Sequence, residues 1–218
     1  RPGPARGRVA SDAGVVDIGG PSATGRIVED DAATRATRVV ARGLSVGDGV
    51  ALSQDEQTLF VNETGKYRVW KIALKANDLD VAQASPLASV LFDNLPGYPD
   101  NLMRGLDGKI WLGFAKPRNS VIDKMADKPF MRALTLRLPR ALWPIPKTYG
   151  HVMAFTEDGQ VVADMEDPSG HYPETKAVNA AGDRLYSKGA HAQSAGGKAT
   201  GRGAGKARAR GRRGSGRG

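Results

Sequence analysis

Ser53-Gln54-Asp55-Glu56-Gln57-Thr58-Leu59-Phe60-Val61 joins a tight polar turn to an apolar–aromatic–apolar run, and it is the key to the architecture because it recurs. Gly105-Leu106-Asp107-Gly108-Lys109-Ile110-Trp111-Leu112 repeats it with one residue of slack, and Asn179-Ala180-Ala181-Gly182-Asp183-Arg184-Leu185-Tyr186 is a third copy. Asp55 and Asp107 lie 52 residues apart. That spacing is close to the roughly 40 to 50 residues that one four-stranded blade of a β-propeller occupies. The longer gap to the third copy is accounted for by an insertion.

The same chemistry continues on either side. Gly25-Arg26-Ile27-Val28-Glu29, Thr37-Arg38-Val39-Val40, Gly49-Val50-Ala51-Leu52-Ser53, Tyr67-Arg68-Val69-Trp70-Lys71-Ile72 and Ser89-Val90-Leu91-Phe92 are short and rich in β-branched and aromatic residues. Asn101-Leu102-Met103-Arg104, His151-Val152-Met153-Ala154-Phe155 and Gln160-Val161-Val162-Ala163-Asp164 read in the same way. Alternating polarity and polar breaks predict strands rather than helices. The expected class is all-β.

The 218 residues include 40% apolar and 25% charged side chains, enough for a sizeable core. Without cysteine, disulfide scaffolds, thiolate zinc sites and cysteine nucleophiles are excluded. No apolar run approaches the ~18 to 20 residues of a membrane-spanning helix. Arg1-Pro2-Gly3-Pro4 lacks the apolar stretch and cleavage site of a secretory signal, so none is expected in this stretch. The expectation is a soluble chain, with no compartment specified.

The net charge of +9 is concentrated in two segments. Ala190 to Gly218 holds six Arg, two Lys and no acid; Lys116 to Lys147 holds eight Lys or Arg against Asp123 and Asp127. The remainder is therefore mildly acidic, so the basicity does not describe a DNA-binding fold. The tail lacks any apolar period and is expected to be disordered. It also lacks the aromatic residues that stack on bases, so no specific nucleic-acid partner is expected. Residues 1–15 remain unassigned, 16–188 form the expected propeller segment, 117–149 the insertion, and 189–218 the Gly/Ala/Arg-rich tail. Within the insertion, Val121 to Met125 and Pro129 to Leu134 look helical, with Pro129 and Pro139 as breaks. The segment reads either as a surface excursion packed on a blade or as a basic, apolar flap. The flap reading includes a weak contact with anionic membrane through 117–149.

A run of motifs, in order, adds a resemblance to these readings. Gly49-Val50-Ala51-Leu52-Ser53, the stretch from Phe60-Val61-Asn62-Glu63-Thr64-Gly65-Lys66-Tyr67 to Arg68-Val69-Trp70, and Asp93 to Asn101 resemble the strictosidine synthase-like branch of the six-bladed β-propellers. This is the superfamily of senescence marker protein, gluconolactonase and paraoxonase-like proteins. Gly108 to Gly113, Arg137-Leu138-Pro139, Tyr149-Gly150, Glu157-Asp158-Gly159 and Asp167-Pro168 continue the match. The resemblance covers roughly Gly25 to Tyr186 and implies a partial six-bladed propeller of about three blades, since such proteins are normally much longer.

The resemblance also implies a chemistry. Hydrolytic members hold calcium or another divalent cation at the propeller centre through carboxylate and amide oxygens. Such a hard cation takes ~6 to 8 oxygen ligands and can polarise an ester or lactone carbonyl. Asp100 and Asn101 stand where the family places its Asp or Asp-Asn ligands, and Asp48 stands where it usually has Asn. The plainer reading of Asp100 and Asn101 is a turn cap before a strand, since Pro-Asp-Asn is good turn chemistry. Adjacent strand residues point to opposite faces, so both can serve one ion only if the backbone turns between them. Pro99 favours such a turn. Catalytic residues are not identified; Glu63 and His151 are candidates for proton transfer, Glu63 otherwise fixing a turn, and His151 and His171 otherwise being ordinary strand or loop residues. The implied function is metal-dependent hydrolysis of small esters or lactones, of arylesterase or gluconolactonase type. The alternatives are the amine–aldehyde condensation of strictosidine synthases, whose late glutamate has no counterpart here, and a non-catalytic binding platform. With three oxygens of the set, this chain alone is expected to bind calcium weakly and to hydrolyse little.

Overall fold

The computed structural model describes residues 23–105, 108–125, 128, 150–167, 175–181 and 184–189. Strands dominate, as the alternation predicts. The first two, β1 (Gly25–Asp31) and β2 (Ala36–Leu44), form an antiparallel hairpin whose turn is closed by Asp31, which accepts the Ala33 N–H at 2.8 Å and the Thr34 hydroxyl at 2.7 Å. That local bonding holds the Asp31 carboxyl below its usual range, the Thr34 hydroxyl contributing most.

Next come β3 (Gly47–Leu52), β4 (Thr58–Glu63), β5 (Arg68–Ala73) and β7 (Ala88–Phe92), a four-stranded antiparallel sheet in the order β3-β4-β5-β7. The two-residue β6 (Leu79–Asp80) leaves this meander to pair in parallel with β2. A second four-stranded sheet contains β8 (Gly97–Arg104), β9 (Ile110–Pro117), β10 (Gly150–Phe155) and β11 (Val161–Asp167), again ordered by sequence. The third copy of the repeat is a hairpin of β12 (Thr175–Ala181) and β13 (Arg184–Gly189), and β12 packs along β8 and β9. Sequential four-stranded meanders stacked face to face are propeller blades. The chain is a partial β-propeller.

Alternation along each strand assigns its two faces. Leu59, Val61, Trp70 and Ile72 of the first blade pack on Ile27, Val40, Ala41 and Leu44. Phe60 and Val69, from the opposite face, pack on Leu102, Ile110, Leu112, Phe114, Met153 and Phe155 of the second blade. Phe155 meets Phe60 and Phe92 edge-on, with ring centroids 6.3 and 4.9 Å apart. Such pairs contribute roughly 0.5–1.5 kcal/mol beyond area burial.

At one end of this seam, Arg104 donates from Nε and Nη2 to the Leu52 carbonyl at 2.8 and 2.6 Å and pairs with Glu157. Glu157 also accepts the Gln54 N–H at 2.7 Å, and its carbonyl accepts from Lys71 at 3.0 Å. At the other end, the insertion begins with the short helix α1 (Ser120–Met125), where the sequence predicts helix. The rest of the insertion, including the predicted helix at 129–134, and the termini lie outside the described residues, as do His171 and residues 182–183.

Candidate metal-binding bulge

The two innermost strands carry the same irregularity. On β3, Gly47 pairs with Glu63 and Val50 with Val61, so Asp48 and Gly49 together oppose Asn62. On β8, Pro99 pairs with Phe114 and Leu102 with Leu112, so Asp100 and Asn101 together oppose Gly113. Two residues against one is a β-bulge, which bends the strand and re-aims its side chains. The backbone turn needed between Asp100 and Asn101 is therefore present. It brings the two side chains together: Asn101 Nδ2 donates to Asp100 Oδ1 at 3.0 Å.

Asp100 is buried and Asn101 half-buried, whereas Asp48 is exposed. The two bulges lie back to back. A Cβ placed on Gly49 would stand 2.5 Å from the Asp100 carbonyl oxygen and 2.8 Å from the Asn101 carbonyl carbon, and would also strike the Leu102 nitrogen. Only glycine permits that approach of two backbones. Asp48 thus lies one residue from the backbone that carries Asp100 and Asn101.

The end of β4 supplies the side wall. Asn62 lies on the face of β4 that meets the second blade, and Thr64 opens the 3-10 turn that follows the strand. Asn62 Nδ2 donates to the Asp100 carbonyl, and Thr64 Oγ1 donates to the Pro99 carbonyl at 2.6 Å. Asn62 is fully buried, and its Oδ1 finds no hydrogen-bond partner among the described residues. Neither residue is singled out by the sequence reading. The available signal is Asn62 itself, a polar residue continuing the apolar Leu59-Phe60-Val61 run.

Glu63 lies between them in sequence but on the opposite face. It is fully buried; Oε1 accepts the Ser45 N–H at 2.9 Å, Oε2 accepts the Trp70 indole N–H at 2.8 Å, and Lys66 Nζ is 3.2 Å from Oε1. This arrangement ties the connection between β2 and β3 to β4 and β5 and presents no carboxylate to solvent. His151, paired with Phe114 across β10 and β9, is 1% exposed, stacks on that ring at 4.3 Å and lies 2.6 Å from Asp164 Oδ1 through Nε2.

Above Pro99, Tyr67 and Tyr98 pack with ring centroids 4.9 Å apart. Tyr67 donates its hydroxyl to Asp123 of α1 at 2.7 Å, while Arg118 lies over the Tyr67 ring at 4.2 Å and binds Asp123 at 3.0 Å. Burial pushes both phenols above their ordinary range, the Asp123 carboxylate adding to the effect at Tyr67. The start of the insertion is thereby pinned to the rim near the bulge.

Carboxylate and amide oxygens are hard donors of the kind calcium takes. Among the described residues no three His, Asp or Glu side chains converge as a metal-binding group. The donor chemistry at Asp100 and Asn101 fits a divalent cation, and the number of carboxylates does not by itself complete its shell. No helix among the described residues is long and apolar enough to cross a membrane.

Comparison with known proteins supports the motif reading. A family model described as "Strictosidine synthase" matches residues 11–77. The Arabidopsis thaliana protein STRICTOSIDINE SYNTHASE-LIKE 13 is 29% identical over 152 residues, which are 67% of this chain and 36% of that protein. Adipocyte plasma membrane-associated protein of Salmo salar is 28% identical over 158 residues, covering 68% of this chain and 36% of that protein. This chain therefore spans little more than a third of the relatives it matches. Among solved structures, a luciferin-regenerating enzyme aligns at TM-score 0.49 and 16% identity, over 77% of this chain and 45% of that one. A regucalcin from Agrobacterium tumefaciens, described as a calcium-binding protein, aligns at TM-score 0.43 and 17% identity, over 77% and 50%. The chain is similar to strictosidine synthase-like propeller proteins.

Proposed function

We propose that this chain is the part of a propeller hydrolase that carries oxygen ligands for a divalent cation, with small esters or lactones as substrates. Calcium is the expected ion. Asp100 and Asn101 are the proposed ligands from one blade, and Asp48 is the proposed ligand from the blade before it. The observation that carries this reading is the bulge opposite Gly113, which turns Asp100 and Asn101 from opposite-facing strand neighbours into a hydrogen-bonded pair.

A bound divalent cation supplies Lewis acidity toward an ester or lactone carbonyl. The chain's own residues do the positioning. Gly49 allows the two inner strands to touch, burial shields the Asp100 carboxylate from competing water, and Asn101 holds Oδ1 of Asp100 in place. Glu63 and His151 are both fully engaged in packing, so neither is assigned the proton transfer.

Calcium titration by calorimetry tests the reading. The chain should bind calcium weakly, and Asp100→Ala should abolish that binding. In the longer protein carrying these blades, Asp100→Ala or a chelator should remove hydrolysis of a phenyl ester or γ-lactone, reversibly in the second case. Calcium binding that survives Asp100→Ala would refute the ligand assignment. The match to the strictosidine synthase model favours one second reading, an amine–aldehyde condensation. Product formation from an amine and an aldehyde that withstands chelator would select it.

A further inference from the structure

Asn62 is a costly residue for its place. It is fully buried on an apolar seam beside Phe60, and its Oδ1 has no partner among the described residues. A buried polar atom without a partner is destabilising, a penalty that a leucine there would avoid. Polar groups kept against such a penalty usually mark a functional constraint. Here the other end of the amide shows what is gained. Its Nδ2 meets the carbonyl of Asp100, and two residues on Thr64 meets the carbonyl of Pro99 at 2.6 Å. Both carbonyls belong to the stretch where β8 slips register against β9. A bulge disrupts the regular ladder bonds, and buried carbonyls then need other donors. The preceding blade provides them, while Gly49 provides the floor.

We infer that Asn62 and Thr64, with Gly49 beneath, form a mould on one blade that sets the Asp100–Asn101 bulge of the next. They are positioning residues: they touch the backbone that carries the proposed ligands and not the ion. The inference rests on the reading of Asp100 and Asn101 as ligands for its function, and on the hydrogen bonds alone for its geometry. Blade-to-blade templating of this kind makes cation affinity depend on how two blades dock.

The test compares Asn62→Leu, Thr64→Val, Thr64→Ser, Arg104→Ala and Asp100→Ala by calcium calorimetry, by melting in chelator, and by amide NMR shifts. Outer-sphere partners typically change metal affinity 10–100-fold. Asn62→Leu and Thr64→Val should each weaken calcium about tenfold or more, and Thr64→Ser should restore it. Arg104→Ala loosens the same seam at its far end, so it should lower the melting temperature and leave calcium affinity unchanged. A purely structural role would instead make affinity follow melting temperature across all these variants, and that outcome overturns the inference. If Asp100→Ala leaves calcium binding unaltered, the ligand reading fails and the mould is judged by NMR alone. Asn62→Leu must then shift the amide signals of Asp100, Asn101 and Leu102; unshifted signals there overturn it.

Discussion

Asp48 and Asp100 occupy equivalent positions in successive blades: each is the first of two residues bulged out opposite a single residue of the adjoining strand. Their separation of 52 residues equals that of Asp55 and Asp107 in the turn of the repeat. The blade period thus carries the bulge as well as the strands. The second residue differs, Gly49 against Asn101, because Gly49 must accept the neighbouring backbone.

That close approach makes Gly49→Ala a sharp substitution. The new Cβ would meet backbone atoms on both sides of Asn101, which cannot rotate away. The expected loss of stability is about 1–3 kcal/mol, the usual range for overpacking, together with weaker calcium binding. Chemical denaturation and calorimetry measure the two effects. Unaltered stability of the Gly49→Ala variant would show that the inner strands separate easily.

Glu63→Ala should destabilise without touching the metal reading. It leaves the Ser45 N–H and the Trp70 indole N–H without their acceptor, at roughly 1–3 kcal/mol for each buried donor. Glu63 faces away from the Asp100 side of β4. Denaturation should therefore move while calcium affinity, measured well below the transition, stays constant. A selective loss of hydrolysis in a fully stable Glu63→Gln longer protein would return Glu63 to the catalytic candidates.

Alkaline pH should weaken the fold through the tyrosine pair. Burial raises the Tyr67 and Tyr98 phenols above the ordinary value of 10.0. The unfolded chain then loses these protons first, so it binds fewer protons than the folded chain above about pH 10, and stability falls as pH rises. Below that pH their contribution is complete. Melting temperatures between pH 9 and 11 should decline, and Tyr67→Phe should flatten the decline. The same variant loses the bond to Asp123 and should expose α1 to faster amide exchange. A steep decline that persists in the double Phe variant would place the titrating groups elsewhere.

The Arg104–Glu157 contact should couple the blades only modestly. Both side chains are partly exposed, at 27% and 35%, so the ion pair itself is expected to contribute about 1 kcal/mol or less. Arg104→Ala should destabilise by more than Glu157→Ala does through this pair, because it also abandons the Leu52 carbonyl. A double-mutant cycle with added salt separates the two parts. Complete insensitivity to salt would assign the effect to the carbonyl bonds alone.

The polar turn and its apolar strand were legible in the chain because strand alternation is local: Leu59 and Val61 must face one way and Phe60 the other whatever they pack against. The 52-residue period made those strands into blades, and Pro99-Asp100-Asn101 announced a break in pairing. Local pattern alone therefore specified most of the strands and a break in regular pairing near Asp100. That Asp100 and Asn101 form a bulge inside β8 rather than a turn before a strand, with a counterpart at Asp48 and Gly49, is visible only in the strand pairing. Which side chains shape that bulge was settled when the blades docked. Asn62 and Asp100 are 38 residues apart, and nothing near either one reveals that an amide of one blade meets a carbonyl of the next. The same holds for Glu63, whose neighbours in sequence suggest a turn and whose Oε1 does meet Lys66 there, but whose oxygens also accept the Ser45 N–H and the Trp70 indole N–H. Local patterns select the face a residue presents; hydrogen bonds between blades depend on backbone positions that only close packing of whole sheets sets.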